Sequence, residues 1–239
     1  MNIQTQKIRE ISLDLLKKQE VEKVIGFSMG TLPMATQPIA VSTEEDVDKL
    51  IFNSRCTLNL ANYIRGIKGK VAVVAKGCDA RNIVSHIVEN QIDRDQLYII
   101  GVPCERMVDK NKIAARFEDE ILSYEENDGR LTVGSALKQE TIEKAEVLRD
   151  NCRYCNHCNP AIFDILVTDE VTEKSLDTPF SDVDAIENLA LDERWNHFQN
   201  LTENCIRCYA CKNACPICYC PTCFVDESNP QWVGKGQNK

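Results

Sequence analysis

The sequence has no apolar run approaching the roughly 20 residues that cross a bilayer; its longest runs resemble Val71 to Ala75, so no membrane insertion is expected. It is short of positive charge. Lys and Arg total 28 against 37 Asp and Glu, giving a net charge of -9, so there is no cationic surplus to displace counterions from phosphates, and nucleic acid is excluded as a partner. Lys7, Arg9 and Glu10 are followed by no apolar stretch or small-residue cleavage site, which argues against a secretory signal and for the reducing cytoplasm. No Gly-x-Gly-x-x-Gly follows a strand, and neither Gly-x-x-x-x-Gly-Lys-Ser/Thr nor His-Glu-x-x-His occurs, so nicotinamide or nucleoside triphosphate binding by the usual loops is not expected.

Cysteine, in contrast, is abundant. Thirteen in 239 residues is an odd count, and thiol buffers keep cytosolic disulfides open, which leaves metal as the leading explanation. Seven fall in one tail segment: Cys205, Cys208, Cys211, Cys215, Cys218, Cys220 and Cys223. Cys205-x-x-Cys208-x-x-Cys211-x-x-x-Cys215-Pro216 is the spacing of a bacterial ferredoxin half, in which three thiolates serve one 4Fe-4S cubane and the fourth serves a neighbour. Soft thiolates also suit zinc, and a zinc knot from Cys205-x-x-Cys208 and Cys220-x-x-Cys223 is the bland alternative, although it strands the thiols between those pairs. Cys215-x-x-Cys218-x-Cys220-x-x-Cys223 departs from a ferredoxin repeat, and seven thiolates fall one short of the eight that two cubanes need. Two clusters are favoured, with the missing ligand coming from elsewhere; a single cluster is the alternative.

Cys152-x-x-Cys155-x-x-Cys158 is a further triplet at cubane spacing with no local fourth cysteine. Cys78 or Cys104 is a candidate for that place, which would make three clusters; zinc or a reduced thiol loop is the alternative. His157 in the same loop reads as a solvated side chain, and Cys56 as a small packed hydrophobe.

The expected fold is α/β over residues 1–150, followed by a cysteine-triplet loop and connecting helix over 151–200 and a small ferredoxin-like module over 201–239. Ile8, Ile11, Leu15 and Leu16 recur at helical spacing. Thr43 to Ile51 predicts a second helix, and Leu58, Ala61 and Ile64 a third. Val71 to Ala75, a helix capped by Asp79 and carrying Ile83, Val84, Ile87 and Val88, and Leu97 to Gly101 form a βαβ unit. Its parallel strands open onto the edge where α/β folds place ligands, and Cys78 and Cys104 lie at those ends. The helix start, with Lys76 and Arg81 beside it, is a candidate anion or cofactor-phosphate site. Phe117 to Tyr124 reads as a strand, Asn127-Asp128-Gly129 as a turn, and Ser135 as the cap of a helix presenting Leu137, Ile142, Ala145 and Leu148. Val183, Ile186, Leu189, Ala190 and Phe198 suit the connecting helix.

Thr31-Leu32-Pro33, Asp46 to Leu50, Cys56 with Asn59-Leu60, Val73 to Arg81, Gln91 to Cys104 and the Cys152 triplet together resemble the beta-subunit family of coenzyme F420-reducing hydrogenases and formate dehydrogenases, and the tail resembles the ferredoxin-type segment joined to some members. The resemblance implies an electron-transfer subunit working beside a catalytic or flavoprotein partner: a hydrogenase, a formate dehydrogenase or a heterodisulfide-reductase-like protein. Such a chain relays single electrons and needs no complete catalytic site of its own; no catalytic residue is singled out. The resemblance also raises FAD as a cofactor, and with it the alternative of a flavin-dependent oxidoreductase acting on a deazaflavin.

Overall fold

The computed structural model describes residues 2–173, 180–206, 208–223, 227 and 229–230. The end of the expected tail module, residues 231–239, lies outside the described residues. The strands are β1 (Lys23–Met29), β2 (Thr36–Val41), β3 (Val71–Ala75), β4 (Leu97–Gly101), β5 (Ile121–Asn127), β6 (Arg130–Ser135), β7 (Gln139–Glu143) and β8 (Ile165–Leu166). The helices are α1 (Ile3–Lys17), α2 (Gly77–Val88), α3 (Lys110–Ala114), α4 (Asp150–Arg153), α5 (Ser181–Glu187), α6 (Leu191–Thr202) and α7 (Ala210–Ala214).

A strand with every residue apolar must be covered on both faces. β3, Val-Ala-Val-Val-Ala, is buried throughout and runs parallel to both β1 and β4 inside a sheet of order β2-β1-β3-β4-β8. Only β2 is antiparallel to its neighbour. Pro38 lies in β2, an edge strand, where a missing N–H costs no ladder bond. α1 buries Thr5, Ile8, Ser12 and Leu15 on one face, and its first turn is closed by the Asn2 side chain accepting from the Thr5 N–H at 2.8 Å. A second, antiparallel sheet β5-β6-β7 has its own core of Val108, Ile113, Leu131, Val133 and Ile142.

The βαβ unit stands as the sequence predicts, with β3 and β4 parallel around α2. Several other expectations need correction. The second and third helices are short 3₁₀ turns, Glu45–Lys49 and Leu60–Tyr63. The strand expected at Phe117 runs instead over β5, and Phe117 packs into the second core. The helix expected after Ser135 is β7 followed by a 3₁₀ turn, Lys144–Val147, because Gln139 to Glu143 alternates Ile142 inward against Leu131. The connecting helix is two helices, α5 and α6, broken around Leu189. The last strand of the main sheet, β8, comes from beyond residue 150 and pairs with β4. No helix among the described residues is long and apolar enough to cross a membrane.

Candidate iron-sulfur site

The turn from β3 into α2 is organised by a buried ion pair. Asp79, at the third helical position, accepts from the Lys76 N–H at 2.9 Å and the Leu60 N–H at 3.2 Å. The Lys76 Nζ pairs with the same carboxylate at 2.8 Å and donates to the Leu58 carbonyl at 2.9 Å, with both side chains at most 2% exposed. Burial works to lower the ammonium, but the Asp79 charge and hydrogen bond, together with Cys78 and Cys104, outweigh it and hold the Lys76 pKa above its ordinary value. Asp79 thus closes the first turn from inside the helix rather than standing at its cap, and Lys76 is not free for a solvent anion. Arg81 is likewise engaged, donating to the His157 carbonyl at 3.3 Å.

The triplet loop is laid across the ends of β3 and β4. The Cys104 N–H donates to the Cys158 carbonyl at 3.0 Å, and Arg106 reaches the Cys155 carbonyl at 3.3 Å. Gly77 is required by this approach: a Cβ there would lie 2.7 Å from the His157 oxygen and 2.9 Å from the Asn159 oxygen. Beyond the loop, Asp164 accepts from the Ile99 N–H at 2.6 Å and pairs with Arg94 at 2.7 Å, so the chain re-enters the sheet as β8. Asn159 and Val171 exchange two hydrogen bonds at 2.9 and 3.0 Å, which closes the loop's base.

The result is a cavity of about 70 Å³ lined by Lys76, Cys78, Cys104, Cys152, Cys155 and Cys158. Both cysteines that the sequence places at the strand ends therefore meet the triplet. Cys158 is buried, Cys104, Cys152 and Cys155 are partly so, and Cys78 stands on the open side. Desolvation pushes the Cys104 thiol up to about 12 and, with the Asp79 charge adding to it, the Cys78 thiol up to about 11; it raises Cys152 and Cys158 as well. Among the described residues no three His, Cys, Asp or Glu side chains meet closely enough to share one metal ion. A cubane asks for a different arrangement, in which each thiolate binds its own iron and the donors ring a space. Five cysteines around one cavity fit that demand. Cys56 is instead fully buried in the main core, its thiol pushed up to about 11 by burial, which matches its reading as a packed hydrophobe.

Thr57 and Arg149 also line a second, adjoining cavity of about 290 Å³, where Arg55 and Lys110 add positive charge.

The tail cysteines sit on α7 and the turns around it. Cys205, Cys208, Cys211, Cys215 and Cys220 are exposed, and Cys218 and Cys223 partly so. This segment rests on the α/β body. Asn62 donates to the carbonyls of Asn213 and Ala214 at 3.3 and 3.1 Å, and the Tyr219 hydroxyl bonds the carboxylate of Glu89, the C-cap of α2. His86 packs edge-on against the Tyr219 ring, centroids 5.5 Å apart. Sequence reasoning missed His86, because the apolar series on α2 pointed to Val88, which is 73% exposed, while the buried face carries Ala80, Ile83 and His86. It also missed the Lys76–Asp79 pair, whose i, i+3 spacing was the available signal.

No family model matches the chain. Among curated proteins it is 23% identical to the F420-dependent formate dehydrogenase subunit beta of Methanocaldococcus jannaschii, over 92% of this chain and 74% of that one. It is 21% identical to the F420-dependent formate dehydrogenase 1 subunit beta of Methanococcus maripaludis, over 88% of this chain and 71% of that one. A solved chain of the F420-reducing [NiFe] hydrogenase complex from Methanosarcina barkeri aligns with a TM-score of 0.46 and 17% identity, covering 63% of this chain and 58% of that one.

Proposed function

We propose that this chain, a protein of the F420-dependent formate dehydrogenase and hydrogenase beta-subunit kind, is a cytoplasmic electron-transfer subunit that holds 4Fe-4S clusters both in its strand-end cavity and on its tail. The observation that carries the reading is the convergence of Cys78 and Cys104, far apart in sequence, with the Cys152 triplet around one cavity. Such clusters supply one-electron storage at potentials set by charge, hydrogen bonding and burial. Four of the five cavity cysteines would serve as ligands, and Lys76 places a buried positive charge on the same wall. In the tail, Cys205, Cys208, Cys211 and Cys215 carry the ferredoxin spacing, with Cys218, Cys220 and Cys223 as the remaining donors. Leu191, Trp195, Phe198 and Leu201 on α6 are all more than half exposed, an apolar surface suited to a catalytic or flavoprotein partner subunit.

Anaerobic reconstitution followed by iron and sulfide counting and low-temperature electron paramagnetic resonance tests the reading. Iron with matching acid-labile sulfide is expected, and a colourless zinc-loaded protein would overturn it. Cys208→Ser should remove one cubane's worth of iron while the α/β domain keeps its denaturation midpoint; unchanged iron counts against the tail assignment.

A second reading rests on the adjoining cavity. Its cations Arg55, Lys110 and Arg149, beside Asp109, suit the phosphates of an anionic cofactor such as FAD, whose remainder would lie outside the cavity of about 290 Å³, making the chain a flavin-dependent oxidoreductase acting on a deazaflavin carrier. Flavin absorbance that survives iron chelation would favour it over a pure relay.

A further inference from the structure

Five described residues other than glycine have a positive φ: Gln19, Asn90, Arg106, Asp128 and Tyr209. Gln19 and Asn90 follow the ends of α1 and α2, Asp128 sits in the turn between β5 and β6, and Tyr209 stands at the start of α7. In those places a left-handed residue serves to end or open a helix or to close a hairpin. Arg106, at 73°, lies in the stretch between β4 and α3, where neither reason applies. A left-handed backbone at a bulky residue is costly and persists only where the surroundings hold it.

What surrounds Arg106 is sulfur. It lines the cavity of the five cysteines. The turn brings two successive N–H groups inward: that of Arg106 donates to the Cys104 sulfur, and that of Met107 to the Cys152 sulfur. The guanidinium extends the arrangement over the triplet, donating to the Cys158 sulfur and, at 3.3 Å, to the Cys155 carbonyl. Successive N–H groups around a left-handed residue form a concavity suited to anions, iron-sulfur sites among them. Charge reinforces the geometry. The Lys76 ammonium is neutralised by Asp79 at 2.8 Å, whereas the Arg106 guanidinium has no carboxylate partner among the described residues.

We propose that Arg106 is the positioning residue of the cavity, holding three of its sulfurs from one left-handed turn and raising the reduction potential of the cluster they bind. The inference rests on the cluster reading of that cavity. Hydrogen bonds and positive charge directed at the sulfurs favour the reduced cluster, which carries one more negative charge. One residue therefore does two separable things: its backbone aims N–H groups, and its side chain supplies charge.

The test uses the full chain, reconstituted anaerobically with iron and sulfide and titrated potentiometrically under low-temperature electron paramagnetic resonance, with the cavity signal identified as the one that Cys152→Ser removes. Arg106→Gly keeps the left-handed turn and its N–H but deletes the guanidinium. It should retain full iron and sulfide while the cavity's reduction equilibrium falls about tenfold, equivalent to about 59 mV for one electron, and the tail signals stay in place. Arg106→Lys, which keeps a charge, should fall less. Arg106→Val, whose branched side chain opposes the turn, should lose cavity iron and leave tail iron intact. An unmoved cavity potential in Arg106→Gly, loss of its cavity iron, or a fully loaded cavity in Arg106→Val would overturn the inference alone. A parent protein with no signal that Cys152→Ser removes would overturn the cluster reading of the cavity as well.

Discussion

The cavity cysteines sit where two parallel strands and a helix start come together, and the loop that brings three of them is pinned by carbonyl contacts from Cys104, Arg81 and Arg106. The tail cysteines sit on a five-residue helix and its flanking turns, touching the body through Asn62, His86 and Glu89. Among the described residues, no hydrophobic side chain beyond Val167 is buried. The first set of donors is thus positioned by a core, with its thiols pushed upward by desolvation. The second has no core of its own among the described residues and rests on the body through a few polar and ring contacts. One chain therefore carries one cysteine set placed by a packed fold and another placed by short turns and a few surface contacts.

The sharpest way to break this contrast is to unbalance the cavity's charge. Lys76→Met leaves the Asp79 carboxylate buried without its partner, and should cost about 3–5 kcal/mol by denaturant titration; a change under about 1 kcal/mol would mean the turn does not depend on the pair. Gly77→Val drives a side chain into the carbonyls of His157 and Asn159, and should cost about 1–3 kcal/mol. Cavity iron should fall while tail iron stays, and equal loss from both would erase the distinction. With the metal removed, iodoacetamide at pH 8 should modify the tail cysteines well before Cys104, whose thiol is held near 12 and gains thiolate only as the pH climbs toward that value; peptide mapping by mass spectrometry reads the order. The smallest effect is expected of Asn62→Ala, which removes two exposed contacts to α7 worth about 1 kcal/mol or less together. Hydrogen exchange should rise in the tail and not in β3.

How much of this could be read from the residues followed burial. β3 and β4, covered on both faces, read as unbroken apolar runs, and the βαβ unit with its two strand-end cysteines was legible from them. β1 and β2 were not. Gly26 and Ser28 interrupt the first, where Gly26 makes room for Leu50, and Pro38 marks the second as an edge. Around Glu45 and Leu60 the apolar spacing was right, but the chain makes single 3₁₀ turns to bury Val47, Leu60 and Ala61 under the sheet. β7 reads as a helix in the sequence because Ile142 and its neighbours fit both periods, and pairing with β6 decides the matter. The triplet and the tail announced themselves by spacing. His86 could not, since only the tail lying against α2 distinguishes it from any other helical residue.

Helix α2 begins at the cavity and presents His86 to the tail eight residues after Cys78. At 1.5 Å per residue this amounts to about 12 Å. The helix is accordingly a ruler: it sets the spacing between the cysteine-lined cavity and the surface on which the tail rests, and its hydrogen-bonded backbone keeps that spacing from drifting. Inserting one extra turn would stretch that spacing by about 5.4 Å, which, on the relay proposed above, would slow transfer between cavity and tail while leaving each cysteine set unaltered.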